Sequence, residues 1–301
     1  MRVFVTGASG FIGSAVVSEL VSAGHDVLGL ARSDSSAQAV EGAGAQVHRG
    51  DLDNLESLRA GAESADGVIH LAFNHDFTDY TGAAETDRRA IDALGEALAG
   101  SDRPFVVTSG LAGFALGRTM TEDDAADLNS PRASEHAALA FTSRGVRVAV
   151  LRLPPSVHGE GDHGFVPRLI DIAREKGVAA YPGDGANRWP AVHRLDAARL
   201  FRLALESAPA GARLHAIGDE GVPVREIACA IGRHLDLPVT AVPTEQAVDH
   251  LGWLGVFFSL DVPASSALTR EQLGWQPTEA GLLDDLGQGH YFARRETAHR
   301  S

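Results

Sequence analysis

The chain begins with an apolar run, Met1-Arg2-Val3-Phe4-Val5, that passes straight into Thr6-Gly7-Ala8-Ser9-Gly10-Phe11-Ile12-Gly13 and an amphipathic stretch from Phe11 to Ala23. Few local structures satisfy that order. A strand must stop, turn sharply and give way to a helix: Gly7 permits the turn, Gly10 leaves bare backbone for a pyrophosphate, and Gly13 lets the helix press on the strand. The helix N-terminus then faces the anion. A glycine pattern alone is weak, but one that follows a β-rich run and opens a helix predicts a βα unit holding a dinucleotide.

Strand patterns recur at Val3–Thr6, Val27–Ala31, Gln46–His48, Gly67–Leu71, Phe105–Thr108 and Val146–Leu151, with helical patterns between them, notably Ser14–Ala23, Leu55–Ala60, Ala83–Ala99 and Ala133–Ser143. That alternation predicts an α/β fold, a Rossmann-type doubly wound parallel sheet over residues 1–153. After Leu153 the pattern loosens into Pro- and Gly-rich loops, with helices expected at Val166–Lys176, Asp196–Ser207, Val224–Leu235 and Thr269–Leu273. Residues 154–301 read as a smaller substrate-binding lobe, from which a strand can return to the first sheet. Such sheets bind ligands beyond the carboxyl ends of their strands, so residues just after each β run are the ones to weigh.

A net charge of −14, with no block of basic residues, speaks against nucleic acid and against a polybasic membrane patch as partners. The opening lacks a basic segment followed by an apolar one, and no run reaches the length of a membrane span, so a soluble cytoplasmic protein is expected. The single cysteine, Cys229, sits in a helical pattern and reads as packing.

The second strand ends Leu30-Ala31-Arg32-Ser33, without the acid that usually holds the ribose of NAD at this place. Arg32 and Ser33 suit a 2′-phosphate, since arginine offers a fixed fork of donors, and NADP (as NADPH) is expected over NAD. Asp34 stands close by, and a solvated strand-end charge is the alternative reading of Arg32. Asp51 and Leu52 after the third strand, and Leu71, Ala72 and Phe73 after the fourth, would line the adenine and ribose positions.

Taken together, Thr6 to Gly13, Gly50-Asp51-Leu52, His70-Leu71-Ala72, Thr108-Ser109-Gly110, Leu151-Arg152-Leu153-Pro154, Gly183 to Trp189, Val192 to Asp196 and Leu273 to Pro277 resemble the short-chain dehydrogenase/reductase superfamily, in its extended epimerase- and dehydratase-like branch. The resemblance implies that Gly7, Gly10 and Gly13 contact the pyrophosphate, with Ser9, Phe11 and Ile12 sharing that cofactor-binding loop. It also implies that Asp51 and Leu52 meet the adenine, and that the stretch from Pro154 to Val157 meets the nicotinamide.

The usual Tyr-x-x-x-Lys relay of that superfamily is missing. The only lysine is Lys176, with Ile172 four residues before it, and the expected place reads Ser130-Pro131-Arg132-Ala133-Ser134-Glu135-His136. This resembles the atypical subgroup, which keeps the glycine motif without the relay. Hydride transfer still needs a group that stabilises or protonates an alkoxide. Ser109 stands where the superfamily's polarising serine belongs. His75, beside Asp76, and His158, in the run Ser156 to Phe165, are candidate proton donors. Arg132 could stabilise an oxyanion by charge alone. The histidines and acids around His158 fit no zinc spacing, and no metal is expected. Trp189, Trp253, Phe257 and Phe258 form either an apolar wall or core, and if Leu251 to Leu260 borders the cleft the substrate is hydrophobic.

The reading is an NADPH-dependent reductase of a small or medium carbonyl or imine compound. Its alternatives are an NADP-binding sensor without catalysis and an epimerase- or dehydratase-like enzyme with tightly bound cofactor. A homodimer through two helices is the superfamily's habit.

Overall fold

In the computed structural model, which describes residues 1–74, 79–111, 117–126 and 132–293, the opening run is strand β1 (Arg2–Thr6), with Val3, Phe4 and Val5 fully buried. Strands β2 (Asp26–Ala31), β3 (Gln46–Arg49), β4 (Gly67–His70), β5 (Pro104–Gly110) and β6 (Arg147–Leu153) follow at the places the sequence predicts. They lie in the order β6-β5-β4-β1-β2-β3, every neighbouring pair parallel. Helices α1 (Phe11–Ser22), α2 (Asp34–Gly42), α3 (Leu55–Glu63), α4 (Tyr80–Leu98) and α5 (Ser134–Leu139) supply the crossovers. The strands read as continuous apolar runs because both faces are covered. Val3, Val5, Ile69, Val106 and Leu151 pack on one side with α1, whereas Phe4, Val68, Phe105, Val107 and Val150 pack on the other with α3 and α4.

The chain leaves this sheet at β7 (Ser156–His158) and continues through α6 (Phe165–Lys176), β8 (Ala179–Pro182), β9 (Arg188–His193) and α7 (Arg194–Ser207). It then returns: β10 (Ala212–His215) pairs in parallel with β6, from Ala212 opposite Ala149 to His215 opposite Arg152, and becomes the seventh strand. Residues Leu200, Phe201 and Ala204 of α7 join the core that α1 covers. Strand β11 (Asp219–Pro223), helix α8 (Val224–Leu235) and strand β12 (Val239–Val242) complete two small sheets, β11-β9-β7 and β12-β8. A separate core gathers Val166, Ile170, Trp189, Ile227, Ile231, Leu254, Phe258 and Leu286.

Two local features differ from the sequence expectation. The helix expected over Ala133–Ser143 ends at Leu139 and tightens into a 3-10 turn over Ala140–Arg144, closed by Gly145 in a left-handed conformation. Helix α2 carries few apolar residues and buries only Ala37 and Val40, yet Ser33 caps it by accepting from Ser36 N while Ser36 bonds back to Ser33. Among the described residues no helix is long and apolar enough to cross a membrane.

Candidate functional site

Strand order reverses between β1 and β4, so a crevice opens at their carboxyl ends, where an α/β sheet takes its ligand. Gly7 sits there at φ +70°, and a Cβ on it would lie 2.8 Å from Ala72 N. The glycine loop therefore lies directly on the exit of β4. A Cβ on Gly13 would come within 1.9 Å of Gly7 O, so α1 starts in backbone contact with the loop, while Gly10 meets only Gly7 O. Gly10 caps α1 without any side-chain bond, and the helix has no acid in its first turn. Its first N–H groups are left for an anion. Ser9, Phe11 and Ile12 ring this opening, with Ile12 packed on the core.

At the end of β2, Arg32 is exposed and, among the described residues, in no ion pair. Asp34, the acid nearest to it in sequence, is held by Arg49 at 2.7 Å. Ser33 spends its hydroxyl on the α2 cap and on Ser35 at 3.0 Å. The patch is thus a cation beside a serine-rich helix start. Asp51 accepts from Asp53 N at 3.0 Å and Asn54 N at 2.9 Å, which fixes the loop after β3, and Leu52 packs on the core beneath.

Thr6 ties the loop to the next strand: its hydroxyl accepts from Leu71 N and Ala72 N, both at 3.2 Å, and faces His70 Nδ1 at 2.8 Å. With its lone pairs engaged the hydroxyl donates to Nδ1, so His70 carries its proton on Nε2 and donates to Asp87 Oδ1 at 3.1 Å. The other oxygen of Asp87 accepts from Ser134 Oγ, which in turn accepts from Arg132 Nε at 3.0 Å. Burial drives the Asp87 carboxyl up, but the His70 bond, the charge of Arg132 and the Ser134 bond together hold it below the ordinary value. The guanidinium of Arg132 lies 4.0 Å from the centre of the Phe73 ring and donates to Thr108 O at 3.3 Å. A buried polar chain thus runs from the glycine loop to the arginine that stands near the missing tyrosine.

Ser109, the next residue on β5, is at the edge of burial, and its hydroxyl has no partner among the described residues. Thr108 beside it donates to His70 O at 2.9 Å. Tyr80, at the start of α4, packs its ring 6.1 Å from that of Phe73. Ser109, Arg132, Leu71, Ala72 and Phe73 therefore converge on the ends of β4 and β5. His75 lies outside the described residues.

The place of the lysine is taken by Glu135, buried and gripped by Arg152 through Nε at 2.8 Å and Nη2 at 2.7 Å, with Arg213 Nε at 2.7 Å. Although burial raises its carboxyl, these two arginines bring it below the ordinary range. It locks β6, β10 and α5 together and is unable to act on a tyrosine as the lysine would.

His158 lies on β7. It is fully buried, with Nδ1 at 2.8 Å from Asp285 Oδ2 and Nε2 without a partner. It lines a cleft of about 120 Å³ with His193, Asp219, Pro277 and Glu279. Burial comes first among the causes that hold His193 below the ordinary imidazole value, followed by the neighbouring His158. Beyond β7, Tyr291 accepts from Gly159 N and donates to Asp162 Oδ2, both at 3.0 Å. Pro154 is buried and Val157 half-buried, and the Ser156 hydroxyl between them is buried without a partner. Asp196 accepts from Thr278 N at 2.9 Å and Glu279 N at 3.1 Å, a structural clasp. Trp189 and Phe258 are core, whereas Trp253 is 42% and Val256 55% exposed.

Sequence reasoning passed over Asp87, Ser134 and Asp285, whose partners are distant in sequence. For Asp87 a signal existed, an acid facing inward on an otherwise alanine-rich helix face.

A family model, the NAD dependent epimerase/dehydratase family, matches residues 3–217. An uncharacterized protein of Schizosaccharomyces pombe is 50% identical over 97% of this chain and 100% of its own length. The 2'-dehydrokanamycin reductase of Streptomyces kanamyceticus is 33% identical over 96% of this chain and 80% of its own. Among solved structures, a dTDP-glucose 4,6-dehydratase of Streptomyces venezuelae with NAD and TYD bound aligns with a TM-score of 0.77 at 23% identity, covering 97% of each chain, a likeness of fold.

Proposed function

The chain belongs to the NAD dependent epimerase/dehydratase family, and from that premise we propose that it is an NADPH-dependent reductase of a carbonyl or imine on a small or medium-sized molecule. The observation that carries this reading is that, at the end of β5, Ser109 has a hydroxyl without a partner among the described residues while Arg132 reaches the adjacent Thr108 O at 3.3 Å, where the family's relay is absent. The relative that reduces 2'-dehydrokanamycin supports a reductive direction.

The residues fit the dinucleotide. Gly7, Gly10 and Gly13 would border its pyrophosphate, Arg32 and the start of α2 the 2′-phosphate, and the partnerless hydroxyl of Ser156 the nicotinamide side. When bound, the reduced nicotinamide supplies hydride. Ser109 donates a hydrogen bond to the substrate oxygen. Arg132 stabilises the negative charge that develops there without giving up its own proton. Its setting is fixed in advance by Ser134, Phe73 and Thr108 O, so no reorganisation accompanies the charge. The proton comes from a third group, for which His75 and His158 are the candidates. Of these, His158 has its Nδ1 turned to Asp285 and its buried Nε2 without a partner. Residues 154–301 would provide the substrate side, with Trp253 and Val256 as its exposed apolar surface.

A sensor without catalysis is the second reading, favoured by Glu135 having become a structural ion-pair partner. Calorimetry of NADPH and NADH on wild type and Arg32→Ala, followed by NADPH consumption with aldehydes, ketones and cyclic imines, separates the two. NADPH binding weakened about tenfold or more in the variant, with NADH unchanged, is expected from loss of a charged fork on phosphate. Turnover of any panel member supports the reductase. Tight binding without turnover across the panel favours the sensor, and equal affinity for both dinucleotides removes Arg32 from the cofactor site.

A further inference from the structure

We propose that Arg194 is a second phosphate-binding residue of the dinucleotide site, a cation brought onto the pyrophosphate from the C-terminal half of the chain. The inference rests on the dinucleotide reading above and extends it to a residue outside the glycine loop. Arg194 is the first residue of α7, and its guanidinium carbon lies 5.1 Å from the centre of the Phe11 ring, the first residue of α1. The two helices pack side by side through one core, so this placement belongs to the scaffold.

The charge setting points the same way. Further along α7, Arg199 pairs with Asp196 and Glu279, and Arg202 pairs with Glu19 and Glu206. Arg194, half-buried, forms no ion pair among the described residues. In a chain of net charge −14, an arginine without a carboxylate beside an uncapped helix start that also lacks acids is a cation without its counter-charge. The chain also makes room for it. Gly159 passes so close that a Cβ there would stand 2.9 Å from His193 Nε2 and 3.3 Å from Arg194 Cγ. His163 stands edge-on to Phe11, with ring centres 5.8 Å apart. A guanidinium held against an aromatic face at the first residue of α1 keeps its N–H groups for phosphate oxygens.

The test is equilibrium binding of NADPH, NADH and adenosine 2′-monophosphate to purified wild type, Arg194→Ala and Arg194→Lys, with Arg32→Ala alongside. Arg194→Ala should weaken NADPH and NADH alike by about tenfold, the scale of one charge-assisted phosphate contact. Lysine should restore part of that. Adenosine 2′-monophosphate, which lacks the pyrophosphate, should bind Arg194→Ala as it binds wild type, while Arg32→Ala should weaken adenosine 2′-monophosphate and NADPH and keep NADH. The inference is overturned if Arg194→Ala keeps both dinucleotides within twofold, or if it loses adenosine 2′-monophosphate as strongly as NADPH. Wild type that binds no dinucleotide overturns the cofactor reading as well, so the two failures are distinguishable.

Discussion

Replacing Asp87 by asparagine asks whether the chain from Thr6 to Arg132 is held by a charge or only by shape. In the wild type the carboxylate, 2% exposed, takes the ring N–H of His70 at 3.1 Å on one oxygen and the hydroxyl of Ser134 on the other. Asparagine keeps the volume and one acceptor but turns the second into a donor, so one incoming donor meets another donor. A buried donor left without an acceptor costs about 1–3 kcal/mol, and the surviving bond loses about 1 kcal/mol of charge assistance. Relief from burying a charge offsets part of this, and a net loss of about 2–3 kcal/mol at neutral pH is expected. Urea unfolding of both proteins measures it directly. The carboxyl sits below its ordinary value when folded, despite the burial that pushes it up, because His70, Arg132 and Ser134 favour the charged form. Stability from a depressed acid is fully present above its unfolded value, near about pH 4, and is lost as pH falls through the folded value. The gap between wild type and variant should therefore be full at pH 7 and narrow below about pH 4. A variant as stable as wild type at pH 7, or a deficit that persists unchanged in acid, would refute the reasoning.

Gly13→Ala places a Cβ within 1.9 Å of a carbonyl oxygen that belongs to backbone, so the loop must move. A loss of about 2–3 kcal/mol is expected, with NADPH titration failing, and melting curves alongside the titration check both. Glu135→Ala leaves Arg152, fully buried, facing His215 and Arg213 without its counter-charge. About 3–5 kcal/mol should be lost in chemical denaturation. For His215, burial is the first of the causes that keep its imidazole below the ordinary value. The unfolded chain then binds the proton first, so stability should fall as pH drops below about 6.5, and His215→Gln should flatten that slope in melts between about pH 5 and 7.

The first sheet and its glycine loop were legible because their signals are local. A glycine on a sharp turn, an apolar strand before it and an amphipathic helix after it sit within a few residues, and six strands followed from runs long enough to show their pattern. The short strands β7 to β12 were not legible, since three to six residues among prolines and glycines carry too little periodicity. Helix α2 escaped because its stability comes from a serine capping box and not from an apolar face. At the candidate site, Ser109 and Arg132 could be named from position, but what holds Arg132 could not. Ser134 and Asp87 are forty-seven residues apart, and only the packing of α4 on α5 joins them. Likewise Arg32 reads as ambiguous beside Asp34 until Arg49, on the neighbouring strand, is seen to claim that acid.

The return of β10 to the outer side of β6 has a consequence for how the molecule comes into being. While only the first 153 residues have been synthesised, β6 ends the sheet with an open row of N–H and C=O groups, a template for another chain's strand. The row closes when Ala212–His215 arrive and pair with Ala149–Arg152, bringing α7 with them onto the core that α1 covers. A chain severed after Leu153 would keep the glycine loop and its strands but would present that edge to its own copies and aggregate. Shielding that edge thus falls to residues 212–215, far along the chain from the glycine loop.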